Sequence, residues 1–151
     1  MKLKTLALTL AFAAGSVAAP LAASACGNEK KTVAELSVQD GAKMAKAGEA
    51  IFVDANGKET RTKMGVIPGA ILLSHYETYD ATKELAATKK EQKLVFYCAN
   101  EMCGASKVAA EKAMAQGWHN VSVLPVGIKG WKAAGMPTAS TAPAASKTGQ
   151  G

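Results

Sequence analysis

Arginine, histidine and cysteine are scarce in this sequence: 151 residues include one arginine (Arg61), two histidines (His75, His119) and three cysteines (Cys26, Cys98, Cys103). Aromatic side chains make up only 5%. A nucleic-acid partner asks for a clustered basic face with rings for stacking. Here Lys43, Lys46, Lys63, Lys89, Lys90, Lys112 and Lys132 are scattered instead, so no nucleic acid is expected. The formal charge of +6 falls to +4 without Lys2 and Lys4, which reads as a mildly basic, solvated surface. No internal repeat is visible. The spacing from Cys98 to Cys103 is too long for the redox motif with two intervening residues and fits no familiar zinc signature. No metal or cofactor is expected. One domain is expected from the length.

The one long apolar run lies at the N-terminus. Met1 to Lys4 is a short basic start and Leu6 to Ala14 an apolar core, followed by Pro20 and the small residues Ala23 and Ala25. This pattern predicts an export signal over residues 1–25. Gly15, Ser16 and Pro20 interrupt the run, which makes it a poor membrane span. Cleavage after Ala25 would leave Cys26 first. A cysteine there resembles the start of a bacterial lipoprotein, so Cys26 is also a candidate lipidation site, and that lipid would be the only link to a membrane. Either outcome places the body in the periplasm or cell envelope, where thiol pairs tend to oxidise. Residues 26–31 are expected to be a short flexible segment.

The body is organised around Leu94–Ser106. Leu94 to Tyr97 is a β-branched and aromatic run suited to a buried parallel strand. From Gly104 the spacing of Ala105, Val108, Ala109, Lys112 and Ala113 is helical, with Gly117 as a stop. Cys98 therefore sits where a strand ends and Cys103 where a helix begins. Ligands of open α/β sheets bind at that edge, and orphan N–H groups of a helix start favour a thiolate. Around this centre, Val33–Leu36, Ala50–Asp54, Ile71–Leu73 and Val121–Leu124 read as strands. Ser37 with Asp40 reads as a capping box opening a helix that Gly48 ends. Thr60–Met64 reads as a helical turn. Ser74 is expected to cap a polar helix through Thr82, Leu85 and Ala86, and Val126–Gly135 reads as a short helix. From Pro137 the composition collapses to small and polar residues that bury too little apolar surface to offset ordering entropy, so residues 139–151 are expected to be disordered. Strands alternating with helices predict an α/β domain with a mostly parallel sheet.

Three landmarks extend this reading. They are Phe52-Val53-Asp54 with Gly65-Val66-Ile67-Pro68-Gly69-Ala70, then Val95-Phe96-Tyr97-Cys98, then Gly117 to Leu124 with Gly127 to Pro137. In this order they resemble a rhodanese-like (sulfurtransferase) domain, single and exported, over residues 32–138. The resemblance implies a three-layer α/β/α fold. It implies that Cys98 takes sulfane sulfur from a small donor of the thiosulfate or persulfide class, holds it as a persulfide, and passes it to a thiol or cyanide. The active loop would be Ala99, Asn100, Glu101 and Met102, its amides turned inward to stabilise the anion on Cys98. Where the family carries arginine after the aspartate and histidine in the glycine-proline turn, this chain has Asn56 and Val66. Glu101 is expected to oppose ionisation of Cys98, and Lys107 to offset it. Phosphatases of this fold need a longer loop ending in arginine, a place where Cys103 stands.

Each residue also has a plainer reading. Cys98 could be an inert buried thiol. Cys103 is either a resolving or disulfide partner of Cys98 or a fortuitous thiol. Asp54 is either a structural acid holding backbone N–H groups or a proton donor. Arg61 either reaches an anionic ligand or belongs to the surface. Trp118 and Trp131 are expected to be packing anchors, and the histidines to be exposed. Two further functions stay open: a silent binding module on the same fold, and a thiol–disulfide redox protein using Cys98 and Cys103.

Overall fold

The computed structural model describes residues 32–141. The expected signal, Cys26 and the segment 26–31 lie outside the described residues, as do 142–151 of the expected tail.

Five strands form one sheet: β1 (Ala34–Glu35), β2 (Ile51–Asp54), β3 (Ile71–Leu72), β4 (Leu94–Tyr97) and β5 (Val121–Leu124). Their order is β1-β5-β4-β2-β3, and every neighbouring pair is parallel. β4 is central, with Leu94 beside Ile51 on one flank and Val121 on the other. That placement explains its composition. A strand covered on both faces gains from apolar side chains at every position, and Leu94 to Tyr97 are all buried.

The twofold alternation of a strand divides the core. Leu94, Phe96 and Cys98 pack with Val53, Val123 and the alanines of α4 (Ala105–Ala115), while Val95 and Tyr97 pack with Phe52, Ile128 and Trp131 on the other face. Helices α1 (Val38–Ala47) and α5 (Gly127–Ala133) contribute to this second face, which makes the three layers α/β/α. Cys98 thus continues the face that α4 covers. The ring of Trp131 lies 5.4 Å from that of Phe52, and its Nε1 donates to Pro137 O at 2.8 Å. Trp118 donates from Nε1 to Thr88 Oγ1 at 2.9 Å, with Lys90 Nζ over its ring.

At α1, Asp40 N donates to Ser37 Oγ at 3.1 Å, and Gly48 closes the helix at φ +68°. α2 spans Lys58–Met64, longer at its start than the expected turn. The polar helix after β3 departs from expectation. α3 covers only Ala81–Glu84 and is capped by Asp80, whose Oδ1 accepts from Thr82 N at 3.0 Å. Ser74 instead bonds the Glu84 carboxylate through its N–H and its hydroxyl. Just before α3, Tyr79 is buried and its hydroxyl donates to Ala109 O on α4 at 2.6 Å. The C-terminal end differs as well. Ala139, the first residue of the expected tail, exchanges two backbone hydrogen bonds with Val66 in an antiparallel bridge.

Candidate active site

The loop between β4 and α4 is short, and most of its backbone is spoken for. Asn100 folds it by an Asx turn: its Oδ1 accepts from Met102 N at 3.0 Å and its O accepts from Cys103 N at 3.1 Å. Behind the loop, Ile128 N donates to Cys98 O at 2.8 Å and Lys129 N to Ala99 O at 3.0 Å. These bonds require close approach at Gly127. Its φ is +57°, and a β-carbon there would lie 2.5 Å from Cys98 O. Only glycine meets both conditions.

The two thiols fare differently. Cys98 has 0% exposure, and its Sγ donates to Cys103 O at 2.8 Å. Ser106 Oγ lies 3.4 Å from the same sulfur, and the Ser106 amide also addresses it. Burial first, and then the neighbouring Cys103, push the Cys98 thiol above its ordinary value, and Ser106 only partly opposes them. Cys103 is half-buried. Its burial also disfavours the thiolate, but hydrogen bonds from Cys98 and from the amides of Ala99 and Ala105 outweigh that and hold the thiol below its ordinary value. Ala105 is the first residue of the eleven-residue helix α4, so Cys103 occupies the helix start.

This corrects the expectation that inward amides and the helix terminus would acidify Cys98. Two of the loop amides turn to Asn100, two address Cys103, and Cys98 keeps only that of Ser106. Glu101 and Lys107 are both exposed. Met102 is 95% exposed at the loop tip. A cleft of about 380 Å³ opens beside the loop, lined by Asn100, Glu101 and Met102 and by Val126, Lys129 and Ala133 at α5.

Asp54 and Arg61 form a buried ion pair near the end of β2. Arg61 Nε donates to Asp54 Oδ1 at 3.2 Å, and Nη2 donates to Asp54 O at 2.9 Å and to Leu73 O at 2.8 Å. Asp54 Oδ1 also accepts from Asn56 N at 2.7 Å. Arg61 is therefore neither a surface residue nor turned to an anionic ligand: its side chain is 13% exposed and brackets the ends of β2 and β3. Beside the pair, Tyr97 Oη accepts from Ile67 N at 3.0 Å, and burial together with the Asp54 charge pushes its phenol pKa up. His75 stacks on Tyr76, and His119 is exposed. Among the described residues, no group of three or more His, Cys, Asp or Glu side chains is placed to hold a metal ion.

Sequence reasoning did not reach Ser106 or the tight seat of Gly127. The signal for Ser106 was its place eight residues after Cys98, one of the few polar side chains on a helix face otherwise built from alanine.

Comparison with known proteins accords with this architecture. The model of the rhodanese-like domain matches residues 37–134. A protein of Bacillus halodurans is 26% identical, with 74% of this chain and 80% of that one covered at a TM-score of 0.62. A Rhodopseudomonas palustris protein of unknown function, described as a possible tyrosine phosphatase, is 24% identical over 71% of this chain and 85% of its own (TM-score 0.59). A thiosulfate sulfurtransferase of Pseudomonas aeruginosa is 23% identical over 72% of this chain but only 20% of its own (TM-score 0.59). The last two likenesses show the fold alone. No curated protein matches. The family match covers about two thirds of the sequence, including both loop cysteines and the α5 start that backs them, and on that ground the chain belongs to the rhodanese-like domain family.

Proposed function

We propose that this protein is an exported sulfurtransferase. It takes sulfane sulfur from a donor of the thiosulfate or persulfide class, carries it as a persulfide on Cys98, and delivers it to a thiol or cyanide acceptor. Export rests on the leader, which is outside the described residues. The observation that carries the reading is the pair of free thiols in one short loop, between the end of the central strand and the start of α4.

In the first half-reaction a thiolate attacks the outer sulfur of the donor, whose S–S bond breaks. Sulfite or a thiolate leaves with the electron pair. In the second, the acceptor attacks the outer sulfur of the protein persulfide and frees the thiolate. Ser106 supports the Cys98 sulfur through its amide and hydroxyl. Asp54 and Arg61 support the loop at one remove, by fixing the ends of the strands beside β4.

The test is intact mass after exposure to thiosulfate, a thiosulfonate or a persulfide donor. The expected product gains the mass of one sulfur atom, lost again on adding cyanide or a thiol. The double variant Cys98→Ser/Cys103→Ser should gain nothing. A second reading has its own support, because a thiol of lowered pKa beside another thiol also suits thiol–disulfide exchange. Protein that takes no sulfur from any donor, yet loses and regains both free thiols with oxidant and reductant, would decide for it.

A further inference from the structure

A second cavity lies on the face of the sheet that Cys98 does not share, between α1, α5 and the turn before β3. Its volume is about 520 Å³, within the range of roughly 300–1,000 Å³ that small-molecule sites occupy. The buried Trp131 forms one wall. Ala42 and Ala45 of α1 line the opposite side, and their side chains are too short to fill the space. The backbone around the cavity is fixed. Trp131 Nε1 holds Pro137 O at 2.8 Å and Ala139 pairs with Val66, which straps the chain beyond α5 against the turn that carries Ile67 and Pro68.

The lining has almost no hydrogen-bonding capacity left. Ile67 N donates to Tyr97 Oη, Met136 N donates to Trp131 O, and Pro68 and Pro137 have no N–H. The carbonyls of Ile67 and Pro137 already accept, from Ala70 N and Trp131 Nε1. The other lining residues stand inside α1 and α5. A peptide or a sugar buried there would leave its own polar groups unpaired, which costs free energy at each one. A hydrocarbon chain has none to lose. Charge enters only through Lys43 and Lys46, one turn apart on α1 and both exposed, and no acidic side chain lines the cavity among the described residues. Lys43 meets Asp40 at 3.5 Å on the surface, whereas Lys46 has no ion-pair partner among the described residues.

We propose that this cavity binds a free aliphatic carboxylate. Its chain lies against Trp131, Ile67 and Met136, and its carboxylate stays at the rim with Lys43 and Lys46. An apolar body buries well in a lining that asks for no hydrogen bond, and the two ammonium groups select the sign of the head. The site is separate from the sulfur chemistry, since neither loop thiol lines it. It therefore stands or falls independently of the sulfurtransferase reading.

Decanoate, kept below its micelle concentration, is the probe, and NMR of the titrated protein is the readout. The indole N–H of Trp131 and the methyl groups of Met136, Ala42 and Ala45 should shift together and saturate with a single affinity. Decylammonium has the same chain and the opposite charge, and it should bind about tenfold more weakly or worse. Lys43→Gln with Lys46→Gln should weaken decanoate binding by about tenfold and leave the melting temperature unchanged, because both side chains are exposed. Ala45→Phe should fill the cavity and abolish binding. Ala45 is half-buried, so the larger side chain puts the fold at risk, and the lysine pair keeps the test decisive without it. Decanoate shifts that never saturate or that spread over other faces would overturn the inference, as would equal binding of decylammonium or undiminished binding by the lysine double variant. Binding to phosphatidylglycerol vesicles without binding to monomeric decanoate would make this face a bilayer contact and overturn it too.

Discussion

Arg61 shows how a single side chain can be mistaken for a ligand-binding group. A lone arginine near a strand-end acid invites an anion-binding role, yet three protein acceptors occupy it. Removing one partner of a buried pair leaves the other charge uncompensated, so Arg61→Ala should lower stability by about 3 kcal/mol. A fall in the urea midpoint, with sulfur transfer per folded molecule retained, checks this. Loss of transfer in a protein of unchanged stability would restore the ligand role. The bond network around Arg61 was not legible in the sequence because its acceptors are backbone carbonyls from two strands, and no residue type announces a carbonyl. The thiols were legible only in part. The position of Cys98 followed from the apolar run before it, but the division of amides between two sulfurs depends on Asn100 turning the loop, a choice made by geometry within a few residues.

Elements were more legible than contacts. β2, β4 and β5 were readable because buried strands leave unbroken apolar runs, and α1 because Ser37 caps its start by accepting from Asp40 N. The Asp40 carboxylate accepts from the Ser37 hydroxyl, however, and not, as a capping box would have it, from the Ser37 N–H. α3 was not readable, since the cap at its start is Asp80 and Ser74 is held by the Glu84 carboxylate. α5 has a significance that its short sequence did not disclose: its first turn supplies the amides that hold the carbonyls of Cys98 and Ala99. Gly127→Ala would force a side chain into that contact at a positive φ. The expected result is a destabilisation of about 1–3 kcal/mol, with sulfur loading reduced by more than the unfolded fraction explains. Thermal unfolding measured beside loading kinetics separates the two effects, and full loading with native stability would refute the tight seat.

For the described domain as a whole, the buried acids set the response to alkali. Burial pushes up the pKa of Cys98, Tyr79 and Tyr97. An acid with a raised folded-state pKa keeps its proton longer folded than unfolded, so stability falls as pH climbs past the unfolded value. The loss should begin near about pH 8.5 for the thiol and steepen near about pH 10 for the phenols. Cys103 acts in the opposite sense, adding stability as pH approaches the thiol value from below. Melting temperature followed across alkaline pH checks the sum, and Tyr79→Phe with Tyr97→Phe should flatten the steep part. An unchanged slope in that double variant would count against the assignment. The seam between the loop and α5 has one more consequence, and it is spectroscopic. The Ile128 and Lys129 amide protons rest on the carbonyls of Cys98 and Ala99, so their resonances and exchange rates should register any pull on the loop backbone. They make a built-in gauge of sulfur loading, read from a different element than the one that does the chemistry.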